Sequence, residues 1–294
     1  MKITFLFSAW FLLDLFACCH AYPQYSLPDI EDAKFIEDCV RGHNTFRSKV
    51  NPPASNMFRM SWDAALAKTA KAWAKKCKFK HNTYLKMSGK VHPTFTPVGE
   101  NIWTGTATIF SVDAALRAWF DEVSSYDFNT NSCTDMCGHY TQVVWAESYK
   151  VGCAVHFCNT VENFPGLTKA AHFICDYGPA GNYPRKPYKA GLPCSGCSNE
   201  KCIDKLCENT EREKLINYAY WYPDWDTQPQ PPRPRPPRPP TPPYIPPAKH
   251  PQPPRPSCDQ YCVSVSILRP LFLVLSVGAV LLVQQWFPHA FFYE

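Results

Sequence analysis

His172-Phe173-Ile174-Cys175-Asp176-Tyr177-Gly178-Pro179-Ala180-Gly181-Asn182-Tyr183 is the stretch of this 294-residue chain that most constrains its fold. Residues 170–177 mix apolar, aromatic and cysteine side chains with polar ones, the composition of a strand. Residues 151–158 have the same character. The segment between them, 159–169, contains Pro165-Gly166 and reads as the joining loop. Upstream of this pair the periodicity is helical. Helices first and strands afterwards point to an α+β layering, not to a parallel Rossmann sheet.

Three helices are expected. In 32–48, Phe35, Ile36, Cys39, Val40, His43 and Phe46 recur at helical spacing and define one inward face. His43 therefore reads as a core histidine. Asp63 caps a second helix with Leu66, Ala70, Trp73 and Cys77 as its apolar stripe. Ser111 caps a third, in which Val112, Leu116, Trp119 and Val123 face the core.

Composition marks the outer segments. The chain is 45% hydrophobic and 19% charged, enough apolar material for a core, but its 30 prolines and 15 cysteines are locally concentrated. Lys2, the apolar run 3–13 and Cys19-His20-Ala21 form a secretory signal over residues 1–21. Its removal takes away Cys18 and Cys19 and leaves an odd number of cysteines in an oxidising compartment. Residues 194–207 carry four of these and read as a small stapled unit. Residues 228–257 hold sixteen prolines, a polyproline II stalk reaching about 90 Å at ~3.1 Å per residue. The apolar residues 263–287 read either as a transmembrane helix or, with Ser257-Cys258-Asp259 as attachment region, as a GPI signal.

The formal charge of +5 comes from Arg233, Arg235, Arg238, Lys249 and Arg255 in the stalk. The remainder is near neutral and has no basic stripe, which excludes nucleic acid as a partner. No Asn-x-Ser/Thr sequon occurs, so N-glycosylation is not expected.

Four strings carry a family resemblance: His172–Tyr183 above, Gly138-His139-Tyr140-Thr141-Gln142-Val143-Val144-Trp145, His43-Asn44-Thr45-Phe46-Arg47 and Gly99-Glu100-Asn101-Ile102-Trp103. Together they resemble the superfamily of cysteine-rich secretory proteins, antigen 5 and pathogenesis-related 1, and within it the glioma pathogenesis-related branch. Asp176 departs from the pattern, where the family usually carries Asn or another uncharged or basic polar residue. The resemblance implies a three-layer α-β-α sandwich over 32–188. It also implies a cysteine-rich hinge at 189–210, followed by the linker and stalk at 211–257.

It further implies a cleft holding His81, Glu100, Glu122 and His139. His81 and His139 are the metal candidates, with Zn²⁺ the ion that suits imidazole, and Glu100 and Glu122 are the acid–base candidates. The two histidines are far apart in sequence and no HExxH helix exists, so this reading rests on the resemblance alone. The alternative is a polar network that orders the cleft. The implied disulfides are Cys77–Cys158, Cys133–Cys137, Cys153–Cys175, Cys194–Cys202 and Cys197–Cys207. Cys39 is left as a buried thiol, and Cys258 and Cys262 either pair or link two chains into a dimer.

The expected function is an extracellular, membrane-anchored module that binds a protein or lipid partner, a lipid lying near 126–136. The competing readings are a metal-dependent hydrolase using the same cleft, and a passive structural ectodomain. No Gly-x-Ser-x-Gly elbow or catalytic cysteine supports hydrolysis.

Overall fold

A computed structural model describes residues 27–226. The signal segment, the proline-rich stalk, Cys258, Cys262 and the apolar segment 263–287 lie outside the described residues. Among the described residues no helix is long and apolar enough to cross a membrane.

Side-chain capping starts each helix. Asp32 accepts the amides of Lys34 and Phe35 ahead of α1 (Ala33–Arg47), and Asp63 accepts those of Ala65 and Leu66 ahead of α2 (Ala64–Ala74). Ser111 accepts the amide of Ala114 in α3 (Val112–Asp121). Helix α2 stops short of Cys77, which adopts a positive φ of 51° beyond it. Val123 lies in the 3₁₀ turn Glu122–Ser125 rather than in α3.

The central sheet joins β1 (Ser61–Trp62), β2 (Gly99–Thr106), β5 (Lys150–Thr160) and β6 (Thr168–Gly178) in the order β1-β5-β6-β2. Only β1–β5 is parallel. The sequence marks Gly99–Trp103 as a motif without a strand assignment; the structure makes it the edge strand β2. A small hairpin, β3 (Tyr126–Asp127) with β4 (Ser132–Cys133), precedes the short helix α4 (Gly138–Val143).

Alternation along the strands separates two cores. Phe173, Cys175 and Tyr177 of β6 join Phe35, Phe46, Leu116 and Trp119 on the side of α1 and α3. Ile174, Ala154 and Ile102 join Ala70, Trp73 and Ala74 on the side of α2. Helices thus cover both faces, which gives the three-layer sandwich. Gly152 lets α2 approach closely: a Cβ there would sit 2.1 Å from the Ala67 backbone nitrogen.

Arg47, at the end of α1, ties the layers together. Its buried guanidinium donates to the carbonyls of Phe58, Val143, Trp145, Ala146 and Ser148 at 2.6–3.2 Å. Five backbone acceptors satisfy a cation that has been removed from water. Burial lowers its pKa to about 9.

The cysteine-rich segment forms a hairpin, β7 (Lys201–Ile203) and β8 (Leu206–Glu208), and ends in a helical turn, α5 (Thr210–Glu213). It is docked on the domain. Leu206 belongs to the main core, and Cys207 is fully buried and exchanges backbone hydrogen bonds with Met57 and Arg59.

Candidate functional site

The four cleft residues form two histidine–carboxylate pairs. Strand β2 places Glu100 with its side chain fully buried. Its Oε1 accepts from the His81 ring at Nδ1, 2.8 Å, and from the Asn82 amide at 2.9 Å. A carboxylate can only accept, so Nδ1 of His81 carries the proton and Nε2 is the nitrogen left to the cleft. The hydrogen bond to Glu100 raises the His81 pKa, with burial opposing it. Burial raises the Glu100 carboxyl, and its contacts with His81 and the Asn82 amide oppose that.

The second pair is assembled by a helix end. Glu122 caps the C-terminus of α3 and faces the start of α4. Its Oε1 accepts from Nδ1 of His139 at 2.6 Å, while Oε2 accepts the amides of His139 at 3.0 Å and Tyr140 at 3.3 Å. An anion at the first amides of a helix is favourable. Trp119 stacks against the His139 ring at 6.1 Å between centroids.

A buried polar chain fixes the backbone at His139. The Asn101 amide group donates to the His139 carbonyl at 3.0 Å and to the Tyr177 hydroxyl at 3.3 Å. Tyr177 in turn contacts Nε2 of His43 at 2.9 Å, and Nδ1 of His43 reaches the Cys39 carbonyl at 2.7 Å. The Cys39 carbonyl must accept, so Nδ1 of His43 is protonated and Tyr177 donates to Nε2. His43 is a core histidine, as its place on the apolar face indicates. Burial lowers its pKa to about 4.

Sequence reasoning noticed Asp176 only as a departure from the family pattern. The antiparallel register sets it directly opposite Glu100, so both side chains lie on the α2 face of the sheet. Asp176 is fully buried. Neither of its carboxylate oxygens, nor Oε2 of Glu100, has a hydrogen-bond partner among the described residues. Burial, and secondarily the charge of Glu100, pushes the Asp176 carboxyl well above the usual range.

An open cavity of about 530 Å³ lies against the first pair, lined by His81, Asn82, Glu100, Gln142, Asn182 and Tyr183 among others. Glu122 and His139 do not line it. Gln142 was legible only as part of a string; its side chain accepts the Gly181 amide and donates to Ser148, fixing one wall.

The disulfides of the structure join Cys77–Cys158, Cys133–Cys137, Cys153–Cys175, Cys194–Cys202 and Cys197–Cys207. Cys39 is free and buried. Among the described residues, no three His, Cys, Asp or Glu side chains converge as a metal site. Both Glu122 oxygens and Oε1 of Glu100 are committed to ring and backbone N–H groups, and Oε2 of Glu100 is buried. The donor set therefore does not supply the three or four protein ligands of a complete zinc site, and offers at most imidazole nitrogens backed by carboxylates.

A disulfide-stapled α-β-α sandwich with these paired histidines defines a class of cysteine-rich extracellular-type domain. The chain belongs to the CAP family, described as the cysteine-rich secretory protein family, whose profile matches residues 40–177. It is 54% identical over 202 residues to "Glioma pathogenesis-related protein 1" of Mus musculus, covering 68% of this chain and 75% of that protein. It is 47% identical over 213 residues to "GLIPR1-like protein 1" of Homo sapiens, covering 72% and 86%. The solved structure titled "Crystal structure of NaASP2 with Zn2+" aligns with a TM-score of 0.48 and 27% identity, over 62% of this chain and all of that one. That score is too low to carry the zinc of that protein across to this one.

Proposed function

We propose that the domain is an extracellular binding module, anchored to the cell surface through its C-terminal segment, that recognises its partner through the His81–Glu100 cleft. The observation that carries this reading is the fixed His81 ring. A buried carboxylate holds Nδ1, so the ring presents Nε2 beside an open cavity without having to be ordered on binding. Asn82, Glu100, Gln142 and Asn182 are among the residues that line that cavity. A lining that combines these polar groups with Leu85, Pro97 and Val98 suits a protein segment that presents both kinds of side chain.

A divalent ion such as Zn²⁺ would be held by the His81 and His139 imidazoles, each backed by its own carboxylate. When bound it would supply a positive centre to which a carboxylate or carbonyl of the partner could coordinate. Glu100 and Glu122 would hold the ring tautomers behind it.

Proximity labelling on cells displaying the full chain tests the binding role. The labelled set should shrink when His81→Ala or Glu100→Gln is introduced and stay the same with Arg117→Ala, on the exposed face of α3. An identical set for wild type and both cleft variants would reject the cleft as the recognition surface.

A further inference from the structure

One wall of the cavity is an unusual piece of chain. Residues 82–98 contribute Asn82, Thr83, Leu85, Lys86, Pro97 and Val98 to the lining, yet they contain only turns and bends. A long segment without helix or strand must be held by contacts from outside itself. Two come from α2: Thr69 donates to the Val91 carbonyl at 2.6 Å, and Leu66 packs on Val91 and Val98.

Asp63 lies 3.3 Å from the His92 ring, Tyr149 meets the Phe95 ring, and Glu100 accepts the Asn82 amide. A further hold comes from the other end of the sequence. Residues 211–226, which the composition assigns to the linker, turn back over α2. Lys68 donates through Nζ to the carbonyls of Tyr218 at 2.7 Å and Trp221 at 3.1 Å, and lies 4.0 Å from the Tyr222 ring centroid. From there the chain grips the wall. The Trp225 indole N–H donates to the Lys90 carbonyl at 2.8 Å. Its ring stacks on Tyr84, with centroids 5.0 Å apart and planes 11° apart. Asp224 pairs with the Lys90 ammonium. Tyr218 and Trp221 close on the buried His92 ring at 5.3 and 6.3 Å.

Such contacts are strong enough to hold and weak enough to release. Aromatic stacking adds a modest increment per pair, and an exposed ion pair adds less. Tyr218–Trp225 has no helix or strand of its own and bonds to the wall through side chains rather than through a sheet ladder. The proline-rich segment begins at Gln228, three residues beyond Trp225. Whatever engages or cuts that segment therefore acts beside these contacts.

We infer that residues 218–225 are a latch on the cavity wall: docked, they hold 82–98 in place, and their release lets that wall open. The inference stands on the packing of these two segments and does not depend on which ligand the cavity takes. It makes the root of the stalk a control point for access to the cleft.

Hydrogen exchange of the purified full-length chain tests it. In the double variant Trp225→Ala with Asp224→Asn, amides of 82–98 should exchange at least ~10-fold faster, while β5 and β6 keep their rates. Trp225→Phe, which retains ring packing on Tyr84 but loses the bond to the Lys90 carbonyl, should fall between wild type and the double variant. If the double variant exchanges faster everywhere, Lys68→Met, which frees the Tyr218 and Trp221 carbonyls and takes the cation from the Tyr222 ring, replaces it under the same criteria. Unchanged exchange in 82–98 would overturn the latch, because the wall would then hold itself.

Discussion

Glu122 grips His139 at two points, accepting from its ring nitrogen with one carboxylate oxygen and from its backbone amide with the other. A single side chain thereby sets both the ring tautomer of His139 and the entry of α4. The grip needs two acceptor oxygens, because the Tyr140 amide also points at Oε2.

Glu122→Gln keeps the shape but turns one acceptor into a donor facing N–H groups. It should cost roughly 1–3 kcal/mol, the penalty for unsatisfied buried donors. Urea unfolding at neutral pH measures it. A variant as stable as wild type would show that the two-point grip does not contribute.

Acid should weaken the fold through its buried histidines. Burial lowers the pKa values of both His43 and His172 from 6.5 to about 4. The folded pKa is below the unfolded one, so the neutral ring is the stabilised form. That stability is present above 6.5 and is lost as the pH falls toward 4, on the order of 3 kcal/mol for each ring. Nuclear magnetic resonance titration of the folded protein should find His43 still neutral at mildly acidic pH. A ring that titrates near its ordinary value would remove this source of acid sensitivity.

Asp176 works in the opposite sense. Its raised carboxyl favours the protonated form in the fold, so its contribution is most favourable at low pH and is lost as the pH rises. Asp176→Asn places an amide donor opposite the unpaired Glu100 Oε2 and removes a buried like charge. It should stabilise the domain by about 1–3 kcal/mol at neutral pH. It should also steepen the acid loss, since the gain from protonating Asp176 no longer offsets the loss at His43 and His172. A destabilised variant with a shallower acid profile would contradict this reading of the Glu100–Asp176 pair.

Zinc binding, if carried by imidazoles alone, should be weak. Glu100 raises the His81 pKa, so protons compete with the metal from above the ordinary histidine value of about 6.5. Calorimetry at mildly alkaline pH should record saturable Zn²⁺ binding that fades as the pH falls. It should vanish in His81→Ala with His139→Ala and survive in His43→Ala. The absence of saturable heat in wild type would leave the pairs as a polar network.

What could be read from the sequence was local. Asp32, Asp63 and Ser111 announce their helices because capping is a contact within three residues, and the apolar, aromatic and cysteine content of 170–177 marks a strand. Strand β2 was hidden by Glu100 and Asn101, polar residues that look like loop but face the cleft and the His139 backbone. The Arg47 carbonyl cage was invisible, since its acceptors lie 11 to 101 positions away. Both histidine–glutamate pairs are likewise products of packing, and only the family strings pointed to them. Trp225 fell inside a segment whose prolines suggested a linker, and nothing local signals that its indole reaches Lys90.

The proposed function depends on His81 offering Nε2 to the cleft while Glu100 holds Nδ1. Long-range proton–nitrogen NMR of the folded domain at mildly alkaline pH reads this tautomer directly. The expected spectrum has His81 and His139 protonated at Nδ1 and bare at Nε2. A His81 ring protonated at Nε2 would contradict it, because Glu100 would then have no proton to accept and the ring would not be held for binding.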